Sequence, residues 1–451
     1  MSTATPQRCR QVFNALVGRR CGIVHRVDFV DTVDGDAELH HAAGSIANAY
    51  PRGEVEIRLA VGGSGLARED AIMAALGEGL ERYLASVHSR GRAELKCEAD
   101  LRRDALPAAS FAQFSQQQRD RQQCDRQEGQ AAFPYQPVTP QTPLRWLLGN
   151  RLGNSFPRGD ASCGVPAFAV HLPYQPEADE PLVAPGLSTG LSCADCREAA
   201  VLGGLYEVIE RDALALTWLA GMAPPVIATD WLVEHAADLL PPADRAVAYD
   251  LTSDAGVPVV LVVCRGEGPA GPILSVGSAC RLDARRAARK AAMEASQGRV
   301  FVRQLLEFEP GWQPEPDFSN VTDFTLHARF YSVRPELADE ALRFLDGNPC
   351  PSDLPNCNIE TGTDVARDTR QVVDRLLKTG HEGAWVDLTP GWAAAIDLHV
   401  VKVVVPTLLP LHGHHLLPYL GHARLADRSS AMPRSIVRHD HPIWPYPHPF
   451  P

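Results

Sequence analysis

One frame, Arg-Glu-x-Ala, four residues, then Leu-x-Glu-x-x-Glu-Arg, occurs twice, at residues 68–82 and 197–211. Seven identities at fixed spacing rarely recur through composition alone, so the chain carries an internal repeat. The spacing also dictates conformation. Glu78, Glu81 and Arg82 share one face only if the segment is helical, and Glu207, Glu210 and Arg211 do the same. A fainter third copy lies at residues 286–299. There Glu294 and Gln297 keep the three-residue step, Lys290 sits one turn before Glu294, and Arg299 falls one place late. Three such helices are expected to converge on divalent cations, because hard cations take oxygen ligands and share them with substrate phosphates. The competing reading is three amphipathic surface helices with i,i+4 ion pairs, which explains one copy as well as it explains none of the repetition.

The rest of the chain is compatible with an ordinary folded protein. Its 451 residues are 45% hydrophobic and 22% charged, enough for a large core and two or three domains. A formal net charge of −12 argues against a nucleic-acid backbone as partner. The eleven cysteines are scattered and odd in number, and the start lacks the apolar stretch of a signal peptide. Reduced thiols in a cytoplasmic protein are expected. The most apolar runs, at 257–263 and 400–406, have strand length, far short of the roughly 20 residues a membrane helix needs.

Along the chain the order strand, small-residue loop, acidic helix recurs three times. The loops are GGSG at 62–65, GLSTGLS before the second helix and SVGSAC before the third. Residues 54–60 alternate like a strand, residues 245–264 read as two strands around a turn, and 364–378 as a helix. Residues 163–186 carry apolar strands broken by Pro and Gly, and 385–406 return to strand. The Gln- and Arg-rich stretch 109–130 reads as an exposed helix or linker. This organisation predicts an α+β fold, a mixed β-sheet with helices packed on it. It divides into an N-terminal segment 1–44, a catalytic domain 45–430 and a Pro-rich tail 431–451. Alternating prolines make that tail extended.

These motifs resemble the YcaO superfamily of ATP-utilising enzymes, whose signature is Ser-x-x-Glu-x-x-Glu-Arg, then Glu-x-x-Glu-Arg-Asp, then a helix ending Glu-x-x-Gln. The corresponding segments are Ala75–Arg82, Glu207–Asp212 and Glu294–Gln297, and DLTP at 387–390, VVKVVVPTLLPL and LGHARL resemble the family's C-terminal half. The resemblance spans roughly residues 45–425. It implies ATP and Mg2+ as cofactors, with Glu78, Glu81, Glu207, Glu210 and Glu294 as metal ligands. It also implies Arg82, Ser188, Glu198, Arg211, Lys290 and Gln297 as nucleotide contacts. No GxxxxGK[ST] occurs, so a P-loop enzyme is unsupported. Three positions depart from the pattern: Ala75 replaces the first serine, GGSG replaces a Gly-Lys-Gly loop, and Lys290 stands where Gln is expected.

The tail narrows the resemblance. Pro445, Pro447, Pro449 and Pro451 alternate to the last residue, similar to the PxPxP ending of YcaO enzymes that form azolines in thiazole/oxazole-modified microcin pathways. Such enzymes phosphorylate a backbone amide oxygen after a Cys, Ser or Thr side chain attacks the carbonyl. The resemblance implies that Pro451 brings its carboxylate to the reacting amide as a catalytic group. It implies a ribosomal precursor peptide as substrate, a partner protein that binds the leader peptide, a flavin-dependent azoline dehydrogenase acting afterwards, and a homodimer. Thioamide or macroamidine formation, or a non-catalytic binding protein on the same fold, are the alternatives. Cys193 and Cys196 form a CxxC without a second pair to complete a zinc site. His412, His414, His415, His439, His441 and His448 read more readily as structural than as ligands, and no GxSxG elbow supports a hydrolase.

Overall fold

The computed structural model describes residues 5–47, 60–87, 93–101, 105–111, 114–120, 133–153, 162–348, 354, 364–437 and 443–451. Thr5 caps helix α1 (Pro6–Leu16) by accepting the Arg8 N–H, and Pro6 fills a first-turn position that has no use for a donor. Strands β1 (Val24–Val30), β2 (His40–Ile46) and β3 (Ala60–Gly65) form an antiparallel sheet, on which helix α2 (Arg68–Ser86) packs. β2 crosses the boundary expected between residues 44 and 45, so the N-terminal segment shares a sheet with β3. Of the strand expected at 54–60, only Ala60 lies within the described residues, as does only 116–120 of the helical part of the Gln-rich stretch.

The central sheet has the order β4 (Glu94–Cys97), β5 (Pro143–Arg151), β12 (Ala384–Asp387), β13 (His399–Val404), β7 (Leu191–Ala194), with β6 (Ser162–Pro166) also pairing β5. Residues 391–394 form a helical turn inside the stretch expected as strand from 385 to 406. Helix α3 (Arg197–Leu219) follows β7 and packs on β7 and β13. The third sheet is β11 (Gly271–Cys280), β10 (Val259–Gly268), β9 (Arg245–Asp250), preceded by helix α4 (Thr229–Ala236). The two-residue strands β8 (Met222–Ala223) and β14 (Ile436–Val437) pair with each other. The ladders between all these strands are antiparallel.

Helix α5 (Ala284–Phe308) lies on β10 and β11 through Ala284, Ala287, Ala288, Ala291, Ala292 and Ala295, a single buried stripe at helical spacing. Helices α6 (Phe324–Val333), α7 (Pro335–Leu342) and α8 (Val365–Lys378) join α3 and the opposite face of that sheet in the largest core. No described helix is long and apolar enough to cross a membrane.

The small-residue segments correct one expectation. GGSG is the body of β3, and SVGSAC is the end of β11; neither is a loop. Their residues are small because a helix lies directly on the strand. A Cβ on Gly63 would stand 2.4 Å from the Ala71 carbonyl oxygen, and one on Gly277 only 2.2 Å from that of Ala291. In the middle unit the gap is on the helix: a Cβ on Gly204 would meet the Gly190 oxygen at 2.7 Å. Ala75, aligned with Gly204 and Ala291, is fully buried in this contact. Its smallness serves helix–strand packing.

Candidate active site

Three strand–helix units, β3–α2, β7–α3 and β11–α5, carry the repeated motif, and their acidic residues are held in two ways. In the first two units the first carboxylate binds at or just before the strand of its own unit. Glu78 accepts the Gly62 N–H at 2.7 Å, and Glu207 accepts the Gly190 N–H at 3.0 Å. The second group reaches the strand of the next unit. Glu81 accepts the Cys193 N–H at 2.5 Å from β7. Glu210 accepts the Ser278 hydroxyl at 2.6 Å and the Cys280 N–H at 3.3 Å from β11. The third unit closes the circuit: the Gln297 amide nitrogen lies 3.4 Å from where a Gly62 Cβ would stand, on β3. Helix contacts follow the same rotation, with α2 touching β7, α3 touching β11 and α5 touching β3.

This closed arrangement forces the carboxylates into one electrostatic neighbourhood. Burial raises Glu81 well above the usual carboxylate range, and the charges of Glu207 and Glu78 raise it further. Glu207 is raised by burial and by Glu294, against the pull of Arg211, Lys402 and the Gly190 N–H. Glu210 is pushed to about 7 by burial and then by Glu294. All three units therefore meet electrostatically, and the groups that cross-perturb are those the repeat picks out. Separate surface helices, the competing reading, are excluded.

Each first carboxylate also has a cation from its own helix. Arg82 bridges Glu78 at 2.6 Å, Lys290 bridges Glu294 at 3.1 Å, and Arg211 lies 4.0 Å from Glu207. Arg299, one place late in the repeat, points elsewhere: it is 2% exposed and bound to Asp36 and Asp244 as a structural ion-pair centre. Asp212, which ends the second motif, is also structural. It accepts the Leu409 N–H and pairs with Arg424 of the LGHARL segment.

Two expected nucleotide contacts separate here. Ser188 is exposed in the loop leading to β7, next to the cluster. Glu198 is not brought to it. Nine residues before Glu207, it lies about 14 Å down the helix and half a turn around. Its place in the first turn of α3 is one where the helix dipole favours an acidic side chain.

Lys402 was not picked out as a site residue. It is buried on β13, donates to the Leu187 carbonyl at 2.5 Å, and is lowered to about 8 by burial against the opposing pull of Glu207. A single lysine inside the apolar run VVKVVVP was the available signal. Lys402, Leu187, Thr189 and Val208 form one end of a largely apolar cavity of about 90 Å3 that continues along Val403–Pro406.

At the end of the Pro-rich tail, Pro447–Phe450 are buried and outside helix and strand, while Pro445 and Pro451 are exposed. Trp218 donates to the Tyr446 carbonyl at 2.8 Å, and Tyr331 to that of Pro447 at 2.6 Å. His327 and His448 stack with ring centroids 3.7 Å apart, and His448 bonds the His412 carbonyl. These histidines clamp the tail, while His439 and His441 lie outside the described residues. The tail ends with the Pro451 oxygen 3.4 Å from Arg211, beside the second motif. The Cys193 side chain is half-buried and its thiol is shifted upward by desolvation and by Glu81, the opposite of a reactive or metal-binding thiolate.

Buried carboxylates with raised proton affinity suit a cation, and their oxygens suit a hard one. Among the described residues, no three His, Cys, Asp or Glu side chains meet within reach of one ion. The donor set fits Mg2+, which one or two of these carboxylates would hold and which would neutralise the charge of bound phosphates.

Comparison with known proteins agrees with this geometry. The model of the YcaO cyclodehydratase family, ATP- and Mg2+-binding, matches residues 62–409. The chain is 33% identical over 169 residues to an uncharacterized protein of Methanothermobacter thermautotrophicus, covering 35% of this chain and 41% of that one. A protein encoded in the tfuA 3′ region of Rhizobium leguminosarum bv. trifolii is 30% identical over 285 residues, covering 59% and 61%. The chain thus spans less than two thirds of the curated relatives it matches. Among solved structures, a heterocyclase in complex with substrate and cofactor superposes with a TM-score of 0.74 at 19% identity, over 99% of this chain and 57% of that one. YcaO from Methanopyrus kandleri bound with AMPPCP and Mg2+ gives 0.61 at 20% identity, over 97% and 95%. The E. coli microcin synthetase McbBCD complex with pro-MccB17 bound gives 0.53 at 14% identity, over 84% and 87%. At these identities the superpositions establish the shared fold.

Proposed function

The chain belongs to the YcaO cyclodehydratase family, which binds ATP and Mg2+, and from that premise we propose that it is an azoline-forming peptide cyclodehydratase. Its substrate in this reading is a ribosomally made precursor peptide whose Cys, Ser or Thr side chains close onto the preceding backbone carbonyl. A partner protein presents the leader segment, a flavin-dependent azoline dehydrogenase acts on the product, and the enzyme works as a homodimer in the cytoplasm. The observation that carries the proposal is the circuit of Glu78, Glu81, Glu207, Glu210, Glu294 and Gln297.

ATP supplies the phosphoryl group that turns the amide oxygen into a leaving group, and Mg2+ neutralises the charge on the phosphates. The protein's part is to position and to neutralise. Glu81, Glu207 and Glu210 offer buried oxygens, one or two of which would hold a cation, with Glu78 and Glu294 beside them. Arg82, Arg211, Lys290 and Gln297, with Ser188 at the rim, face the phosphates. Lys402 places a buried cation beside Glu207, where developing phosphate charge is best stabilised. The Pro-x-Pro-x-Pro tail, buried from Pro447 to Phe450, supports azoline formation over the related thioamide or macroamidine chemistries. Pro451, held on Arg211, is assigned the role of ordering the attacking thiol or hydroxyl.

The test is to incubate the protein with ATP, Mg2+ and Cys/Ser/Thr-rich peptides, with and without a leader-binding partner protein, and follow mass. ATP-dependent loss of one water per ring supports the reading. Exchange of oxygen for sulfur would replace it with thioamide formation, and ATP-independent binding without any mass change would leave a binding protein.

A further inference from the structure

A second polar cleft lies on the third sheet, on the face away from α5. β9 and β10 pair so that Arg245 and Arg265 are direct cross-strand partners on one face. Two like charges placed opposite each other in a ladder repel. A third arginine, Arg343, closes in from the end of α7, and the three line a cleft of about 140 Å3. Two carboxylates share it, and both are engaged. Asp339 pairs with Arg265, and Asp346 accepts the Tyr249 hydroxyl at 2.7 Å. Arg245 and Arg343 have no ion pair among the described residues. In a chain of net charge −12, this is a concentration of uncommitted positive charge at a concave site.

The cleft is separate from the carboxylate circuit. Ser278, the β11 contact of Glu210, pairs with Leu261 on β10, and Arg265 is four residues farther along that strand, about 13 Å away. Its volume suits a single small group and not a nucleotide. Planar guanidinium forks match the oxygens of phosphate and carboxylate in pairs, and three of them from three elements give the convergence a lone surface arginine lacks. We propose that this cleft binds a small oxyanion, the phosphate or carboxylate group of a ligand, held by Arg245, Arg265 and Arg343 outside the ATP site.

The full chain is titrated calorimetrically, in phosphate-free buffer, with inorganic phosphate and separately with a short glutamate peptide. At least one should bind. The double variant Arg245→Gln, Arg343→Gln should weaken that binding about tenfold or more, while Arg245→Lys, Arg343→Lys keeps a measurable part of it. Binding of phosphate alone identifies a free or esterified phosphate as the ligand class; binding of the peptide alone identifies acidic side chains. Both glutamine substitutions are at exposed positions, and unchanged thermal unfolding confirms the fold. The proposal is overturned if neither probe binds the wild type, or if the double variant binds as well. It is also overturned if Lys402→Met abolishes the binding while the arginine variant does not, since the anion then sits in the ATP site.

Discussion

Replacing Glu210 by Gln tests the electrostatics of the circuit without reference to catalysis. In the folded protein this carboxylate titrates at about 7, against 4.5 when unperturbed. A raised folded value means that the neutral form favours folding. That contribution is whole below the unfolded value and is lost as pH rises from 4.5 through 7. One pKa unit corresponds to about 1.4 kcal/mol, so between pH 5 and pH 8.5 the wild type loses about 2–3 kcal/mol through this one group. An amide carries no charge to lose. It accepts from the Ser278 hydroxyl or the Cys280 N–H less well than a carboxylate accepts from both, at a cost of about 1 kcal/mol that does not vary with pH. The stability of Glu210→Gln relative to wild type should therefore rise by about 2–3 kcal/mol from pH 5 to pH 8.5, measured by urea unfolding without divalent cations. Adding Mg2+ and nucleotide should shrink the gap, because they supply the positive charge the wild-type carboxylate lacks. A relative stability of Glu210→Gln that stays constant with pH, or falls as pH rises, would refute the claim that Glu210 is buried against Glu294.

Lys402→Met should fold but lose most ATP-dependent turnover, about a hundredfold or more for a buried charge facing phosphate, and should raise the proton affinity of Glu207, read by NMR titration. Extending the chain past Pro451 with a short tag should displace its oxygen from Arg211 and lower turnover while nucleotide binding, followed by calorimetry, is retained. Gly277→Val should abolish soluble expression or cost about 3 kcal/mol or more, because its Cβ would fall 2.2 Å from helix backbone. Acid should loosen the tail: burial lowers His412 to about 3 and His415 to about 4, so the stability they lend is present above about 6.5 and lost as pH falls towards those values, reported by Trp444 fluorescence.

The three acidic helices were legible because a carboxylate every three residues, on an apolar periodicity, has few other conformations. The tail was legible for a similar reason, since alternating prolines exclude helix and central strand. The glycine-rich segments were misread because small residues mark loops and close helix–strand contacts alike, and only the packing of Gly63 on Ala71 separates the two. Glu198 was drawn in by its nearness in sequence, which along a helix becomes distance and rotation. The reach of Glu81 to Cys193, across 112 residues, has no local trace at all. Lys402 was visible as an anomaly in an apolar strand, but its neighbour Glu207 comes from the second repeat unit and is set by the pairing of β13 with β7.

That no unit binds its own second group has a consequence for how the site can fail. The first or second unit folded alone would hold one anchored carboxylate and one pointing at nothing, and the third would leave its amide without its place at Gly62. The site therefore comes into being in a single step, when the last of the three units docks, and it vanishes when any one of them loosens. Damage remote from the nucleotide, in the packing of α5 on its sheet for instance, is transmitted as a misplaced amide at Gly62 and from there to the next helix. Local melting of a single unit should thus act as an off-switch for the whole centre, and no partially competent intermediate should be detectable.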